Sequence, residues 1–215
     1  MLWVKWLGVF FTSRFGIFIV HIFSEKLSES FPPLSTKLYT LTFSDKICVL
    51  VNTVIETIFT LWLLNYKCPI ISYYFPVNLI LIFILDDLLY APFHHLLHSK
   101  CIYKWIHHRH HKISHPYKSY VHASMEHPLE MIGALILHAC SISILGFLID
   151  KTCILTHILV KALGACLNHS GRNVELYFYK TKHHHIHHVY RKYNFSQYVF
   201  IYDKVFSSYK STLYI

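Results

Sequence analysis

The residues best equipped for chemistry in this chain are its histidines, 19 of 215, most of them gathered in short clusters. His94 and His98 are four apart, a spacing that puts both imidazoles on one face of a helix. In His107-His108-Arg109-His110-His111, the residues His107, His110 and His111 stand at i, i+3 and i+4 and share a helical face again. His184-His185-Ile186-His187-His188 repeats the pattern with His184, His187 and His188. His169 lies between these clusters, in Asn168-His169-Ser170-Gly171. A single i, i+4 pair is a weak signal and one His-x-x-His-His a moderate one. All of them together are strong, because a merely His-rich tract binds metal without helical phasing. Nine nitrogens exceed the needs of one ion, so two ions are expected. Imidazole suits iron, zinc and copper alike, and a structural zinc would draw on cysteine as well.

The other histidines weigh differently. His138 and His157 lie inside apolar runs and read as helix-packing groups, His122 carries no ligand signal, and His183 reads as a neighbour of its cluster. Asp87, seven residues before His94, is two turns away on the same face, where it can accept a ring N–H. His127, Asn194 and Asp203 join it as candidate residues supporting the ligands.

What must position these side chains is a set of membrane helices. Apolar residues make up 54% of the chain, charged ones 14%, and mean hydropathy is +0.38. The net charge of +9 would permit nucleic-acid binding, yet Lys and Arg fall between or after the apolar runs, as the positive-inside rule requires. No nucleic-acid module is recognisable, so no nucleic-acid partner is expected. Residues 47–66, 70–85 (continuing as a helix to His98), 129–149 and 152–167 are each roughly one span, at ~1.5 Å rise per residue against ~30 Å of hydrocarbon. Pro92 should kink the second. Only Asp150-Lys151 separates the last two, which predicts a tight helical hairpin. Segments 94–128 and 169–215 then emerge on one side, expected to be cytosolic. Residues 1–23 are apolar but carry Lys5, Arg14 and His21, fitting a membrane helix, a signal anchor or an interfacial helix. Residues 24–46, with Pro32-Pro33, read as a linker. The six cysteines form no Cys-x-x-Cys pair and read as small buried hydrophobes. The expected fold is all-α, an integral membrane bundle of about four transmembrane helices plus the N-terminal apolar segment, under a cytosolic histidine-rich helical cap. Its expected division is residues 1–44 and 45–215.

The order His94…His98, His107…His110-His111, His184…His187-His188 resembles the fatty acid hydroxylase and sterol desaturase superfamily over roughly residues 86–209. Glu126-His127-Pro128-Leu129-Glu130 is similar to the family's His-Pro-Leu-Glu segment. His169-Ser170-Gly171 is similar to the His-Ser-Gly of sterol-oxidising members. Asn194-Phe195-Ser196-Gln197-Tyr198 and Tyr202-Asp203-Lys204-Val205-Phe206 resemble the family's ending. The chain departs from the pattern at His95, usually Arg, at Tyr202, usually Trp, and at Ser196 and Ser207, usually Gly. The resemblance implies two iron ions, dioxygen as co-substrate, electrons from NAD(P)H through cytochrome b5, and residence in the endoplasmic reticulum.

The expected function is therefore a membrane di-iron, O2-dependent oxidoreductase that hydroxylates or desaturates a lipid C–H bond, with a sterol favoured. An acyl-chain or alkylglycerol hydroxylase is the rival within the same chemistry, and an inactive family member a further one. From another class comes a membrane transition-metal carrier, for which Glu56, His138, His157 and Lys161 could be cited. A carrier should line up ionisable groups along a path through the bilayer.

Overall fold

The computed structural model describes residues 2–34, 39–177 and 179–212, with residues 2–13 and 147 by backbone alone. In chain order the helices are α1 (Leu2–Glu29), α2 (Phe43–Asn65), α3 (Phe75–Leu97), α4 (Lys100–Tyr103), α5 (Ser119–Ala123), α6 (Pro128–Leu145), α7 (Lys151–Asn168), α8 (Thr181–Tyr190) and α9 (Ile201–Val205). Two 3-10 helices, His107–Lys112 and Gly146–Leu148, and a small antiparallel hairpin of β1 (Glu175–Leu176) and β2 (Tyr179–Lys180) complete them. The hairpin is a minor departure from the all-α expectation.

This is a helical membrane protein. Among the described residues, α2, α3 and α6 are long and apolar enough to cross a bilayer, and only 22% to 33% of each apolar window is buried inside the protein. The remainder includes Leu50, Val54 and Ile58 on α2, and Ile132 and Ile136 on α6, all exposed. Such faces are stable only against lipid. The fourth expected span, α7, forms a helix of the expected length, but Lys151, His157 and Lys161 lower its hydropathy and it falls short of the same measure. It packs against α1 and α3.

Two features of the amino-terminal third correct the linear reading. Helix α1 extends to Glu29, well into the expected linker, because Ser24 and Ser28 are buried and bond back to the carbonyls of His21 and Glu25, each at 2.8 Å. Polar residues satisfied within their own helix do not end it. Pro32-Pro33 is also tied down: the Asn173 amide donates to Pro32 O at 2.9 Å, and the Leu34 amide to Gly171 O at 2.8 Å. The division at residue 44 is thus crossed by packing of α1 on α2, α5 and α7.

Local chemistry explains the remaining boundaries. Thr42 and Asp45 form a capping box on α2, and Asp150 caps α7 by accepting the Cys153 amide at 2.8 Å, which closes the predicted α6–α7 hairpin. Helix α3 continues through Pro92. At the end of the bundle remote from the cap, Leu63, Ile82, Ile142 and Ile154 form a hydrophobic core. Cys101 and Cys140 are exposed, against expectation, while Cys48, Cys153 and Cys166 are buried.

Candidate metal centre

One face of α3 climbs in four-residue steps through Asp86, Tyr90 and His94 to His98, its C-cap. Helix α8 presents His184, His187 and His188 as the spacing predicts. The middle cluster differs: His107–Lys112 is a 3-10 helix, not the expected α-helical face. Residues three apart eclipse in a 3-10 helix, and the His107 and His110 rings stack, centroids 5.3 Å apart and 16° from parallel. Asp45 of α2, fully buried, holds this turn in place by pairing with Arg109 at 3.1 Å and Lys112 at 3.2 Å. His169 sits at the C-cap of α7. There Gly171 turns the chain at φ +73°, and a Cβ would come within 2.8 Å of Tyr117 Cβ. The sequence His-Ser-Gly is thus a backbone requirement as much as a chemical one.

All nine histidines converge. His94, His98, His107, His111 and His187 bring one ligand atom each within 4.8 Å of one another, and His110, His169, His184 and His188 do the same. The tautomers follow from the outer hydrogen bonds. His94 Nδ1 donates to Phe195 O at 2.8 Å and His107 Nδ1 to Glu130 Oε1 at 2.8 Å. His187 Nδ1 donates to Tyr193 O at 2.7 Å, and His188 Nδ1 to Ile113 O at 3.1 Å. A neutral imidazole has one N–H, so the Nε2 atoms of these rings carry lone pairs. Yet His94 Nε2 and His107 Nε2 stand 3.1 Å apart, two acceptors with no proton between them.

Protonating one ring would relieve that contact, but the surroundings oppose it. Burial, and then the neighbouring imidazoles, hold His107 and His187 well below the usual histidine range. Burial likewise takes His98 down to about 2 and His169 to about 4. Buried lone pairs aimed at one another need a cation. The donor set therefore fits metal ions, and a ring fixed through Nδ1 with Nε2 free is how a histidine ligand is usually oriented.

Among the described residues, none of the four residues proposed to support the ligands hydrogen-bonds directly to a ring of the nine histidines. Asp87 accepts no imidazole N–H among the described residues. Its carboxylate accepts the backbone amides of Gln197, at 2.6 Å, and Val199, at 3.0 Å, because the carboxy-terminal loop folds under the cap and needs partners for its amides. His127 caps α6, accepting the Leu129 amide at 3.2 Å. Asp203 accepts the amides of Phe195 and Ser196 at 2.8 and 2.7 Å, and Asn194 clamps His183 O and Lys210 O. These last two hold the loop whose carbonyls, at Tyr193 and Phe195, receive ring protons from His187 and His94. They orient ligands through the backbone. The direct carboxylate partner is Glu130, which was legible only as the end of the His-Pro-Leu-Glu segment. Glu126 was missed too. Its carboxyl, raised by burial to about 8, lies within 4.8 Å of ligand atoms of His110 and Glu130.

Beside the four-histidine group opens a chamber of about 420 Å³, walled by Val20 of α1, Phe59 of α2, Leu135 of α6 and Ala162 of α7, and closed by His110, His169 and His184. The model of the fatty acid hydroxylase family matches residues 79–208. The chain belongs to the fatty acid hydroxylase family. No characterised protein and no solved structure matches it. The segment shared with the hydroxylase family holds all nine histidines, Glu130 and the loop from Tyr193 to Ser207. Helices α1 and α2, which wall one side of the chamber, lie outside it.

The hydroxylase-family departures can now be placed. Ser207 stands at φ 56°, in the left-handed region that favours glycine. Ser196 has no positive φ among the described residues, so a serine costs its backbone nothing there. His95 and Tyr202 compensate one another, with His95 Nδ1 2.8 Å from the Tyr202 hydroxyl. None of the four disturbs the nine rings.

Proposed function

We propose that this chain is a membrane lipid oxygenase: a di-iron, O2-dependent enzyme that hydroxylates or desaturates an unactivated C–H bond of a lipid, a sterol before an acyl chain. The observation that carries the reading is the convergence of nine imidazoles, seven of them buried, beside an apolar chamber, with the assigned lone pairs turned inward. His94, His98, His107, His111 and His187 would hold one iron ion, and His110, His169, His184 and His188 the other. Bound iron would supply activation of dioxygen and removal of hydrogen from carbon, chemistry that no side chain performs.

The protein's own contribution is positional. Glu130 and the carbonyls of Phe195, Tyr193, Ile113 and Ala165 take ring N–H groups and fix each imidazole's plane. Apolar walls select a lipid and keep water away from the reacting carbon. The Glu126 carboxyl, on the chamber wall and held neutral near pH 7, stores a proton at the edge of the site. The same reading places the protein in the endoplasmic reticulum, its histidine cap in the cytosol, with electrons from NAD(P)H delivered by cytochrome b5. The His169-Ser170-Gly171 turn and Gln197-Tyr198, similar to sterol-oxidising members, favour the sterol.

The structure disfavours the metal-carrier alternative. Its ionisable span residues close into two compact neutralised groups, Arg14–Glu56–Tyr120 and Asp86–Lys161–His138, rather than a path of ligands. The test is expression in a host deficient in sterol oxidation, followed by mass spectrometry of its lipids. An oxidised lipid that requires both oxygen and His187 is expected. An unchanged lipid profile from protein shown to be folded and iron-loaded would contradict the reading.

A further inference from the structure

The chamber wall carries a second polar group, distinct from the nine histidines. Asp86 of α3, fully buried, meets Lys161 Nζ of α7 and, at 2.5 Å, His138 Nδ1 of α6. His157 Nε2 stands 3.6 Å behind, beyond hydrogen-bond reach. Lys161 Nζ is also flanked by the rings of Tyr90 and Tyr198, at 5.9 and 5.8 Å from their centroids. An aspartate with a lysine neutralises the charges that a lipid-embedded bundle cannot leave bare. Structural pairing alone would be satisfied by the aspartate and the lysine. It does not require both Lys161 and His138 to line the chamber, yet both do, together with Tyr90 and Tyr198.

The hydrogen-bond inventory defines what this wall lacks. With Nδ1 donating to Asp86, His138 Nε2 is an acceptor, and it makes no hydrogen bond among the described residues, nor is it fully shielded. The Lys161 ammonium has three N–H donors: Asp86 takes one, a second lies against His138 Nδ1 at 2.9 Å, and the third is left for the chamber. The wall thus offers an acceptor beside a donor, with no net charge. A hydroxyl uses both, donating to His138 Nε2 and accepting from Lys161. A carboxylate or phosphate would bring an uncompensated charge into a low-dielectric chamber, and a plain hydrocarbon would bury both groups unpartnered.

We propose that Lys161 and His138 form the docking site for the hydroxyl of a lipid alcohol, making this enzyme's substrate an uncharged amphipathic lipid rather than a free fatty acid, a phospholipid or a hydrocarbon. The proposal rests on the lipid-oxidising reading of the chamber and narrows it. Helix α7 also supplies a ruler. Lys161 and His169 are eight residues apart, roughly 12 Å along the axis at ~1.5 Å per residue, and lie on neighbouring faces of the same helix. The carbon presented to the histidines is therefore remote from the hydroxyl, not adjacent to it.

Binding to the iron-free full chain in lipid nanodiscs tests this separately from oxidation. The probes are cholesterol against 5α-cholestane, and hexadecanol against hexadecane, each pair differing only in the hydroxyl. At least one alcohol should bind about tenfold or more tighter than its hydrocarbon, the scale of a buried hydrogen bond to a charged group. His138→Phe should erase that ratio while leaving hydrocarbon binding intact, and His138→Gln, which keeps an acceptor, should restore most of it. A sterol-only preference assigns a sterol substrate, and a hexadecanol-only preference a long-chain alcohol. Equal binding within both pairs overturns the proposal, as does a preference that survives in His138→Phe. Neither result touches the iron centre, whose failure would appear as absent metal in protein separately expressed with iron.

Discussion

Two buried clusters in this protein are built from similar side chains and behave oppositely. Around Asp86, charges cancel, and the donors of His138 and Lys161 both point at the carboxylate. In the cap, the inner contacts run from acceptor to acceptor, as between His94 Nε2 and His107 Nε2, while every assigned proton points outwards. The lesson is that burial of histidine says little by itself. Direction says more: His138 spends its ring proton on a carboxylate and turns a lone pair to the chamber, whereas the cap imidazoles turn their lone pairs on one another.

Substitutions can break this contrast. The largest effect belongs to His187→Ala and His110→Ala, one from each group, which should abolish stoichiometric iron and all turnover, read by metal analysis and product assay. Next comes Asp86→Asn, which leaves Lys161 uncompensated and should lower stability by about 3–5 kcal/mol, the cost of breaking a buried pair. Its thermal transition should fall while iron per folded protein stays unchanged. Should iron vanish as well, the two clusters are not separate. Glu130→Gln is milder. It replaces the carboxyl oxygen that accepts from His107 Nδ1 by an amide and should weaken iron affinity about 10- to 100-fold, seen by chelator competition.

Acid sharpens the comparison further. Burial takes His122 down to about 3, and its Nδ1 accepts the amides of Tyr117 and Lys118, which only a neutral ring can do. Below the ordinary histidine value of 6.5 the unfolded chain takes up a proton that the folded one refuses. Stability from this ring is therefore whole above pH 6.5 and is lost progressively towards pH 3. Denaturation of the iron-free protein across that range should show the decline, and His122→Gln should make it shallower by this ring's share, the cap imidazoles supplying the rest. The smallest effect is expected for Ser207→Gly, which relieves a left-handed serine and should stabilise by about 1 kcal/mol.

Much of the candidate site was legible in the sequence because ligand histidines repeat at helical spacing and helices preserve it. His94 with His98, and the α8 cluster, needed nothing more. The His107–Lys112 turn shows the limit: its histidines converge with the others although its helix type was not foreseen, since i, i+3 neighbours share a side in either geometry. Supporting residues were misread for a different reason. Asp87 has the right spacing from His94, but its partners are loop amides more than 100 residues away, and no local pattern encodes that pairing. Glu130 reaches His107 across helices in the same way. The apolar runs located α2, α3 and α6 well. They could not show that α1 would run on through buried serines, because those hydroxyls are satisfied only once the helix exists.

The most direct measurement is metal quantification with X-ray absorption at the iron edge, on protein expressed with iron and purified without oxygen. Two irons per chain in a shell of nitrogen ligands is the predicted result. Iron well below one per chain in folded protein, or a shell dominated by sulfur, would contradict the central claim that these nine imidazoles hold a di-iron centre.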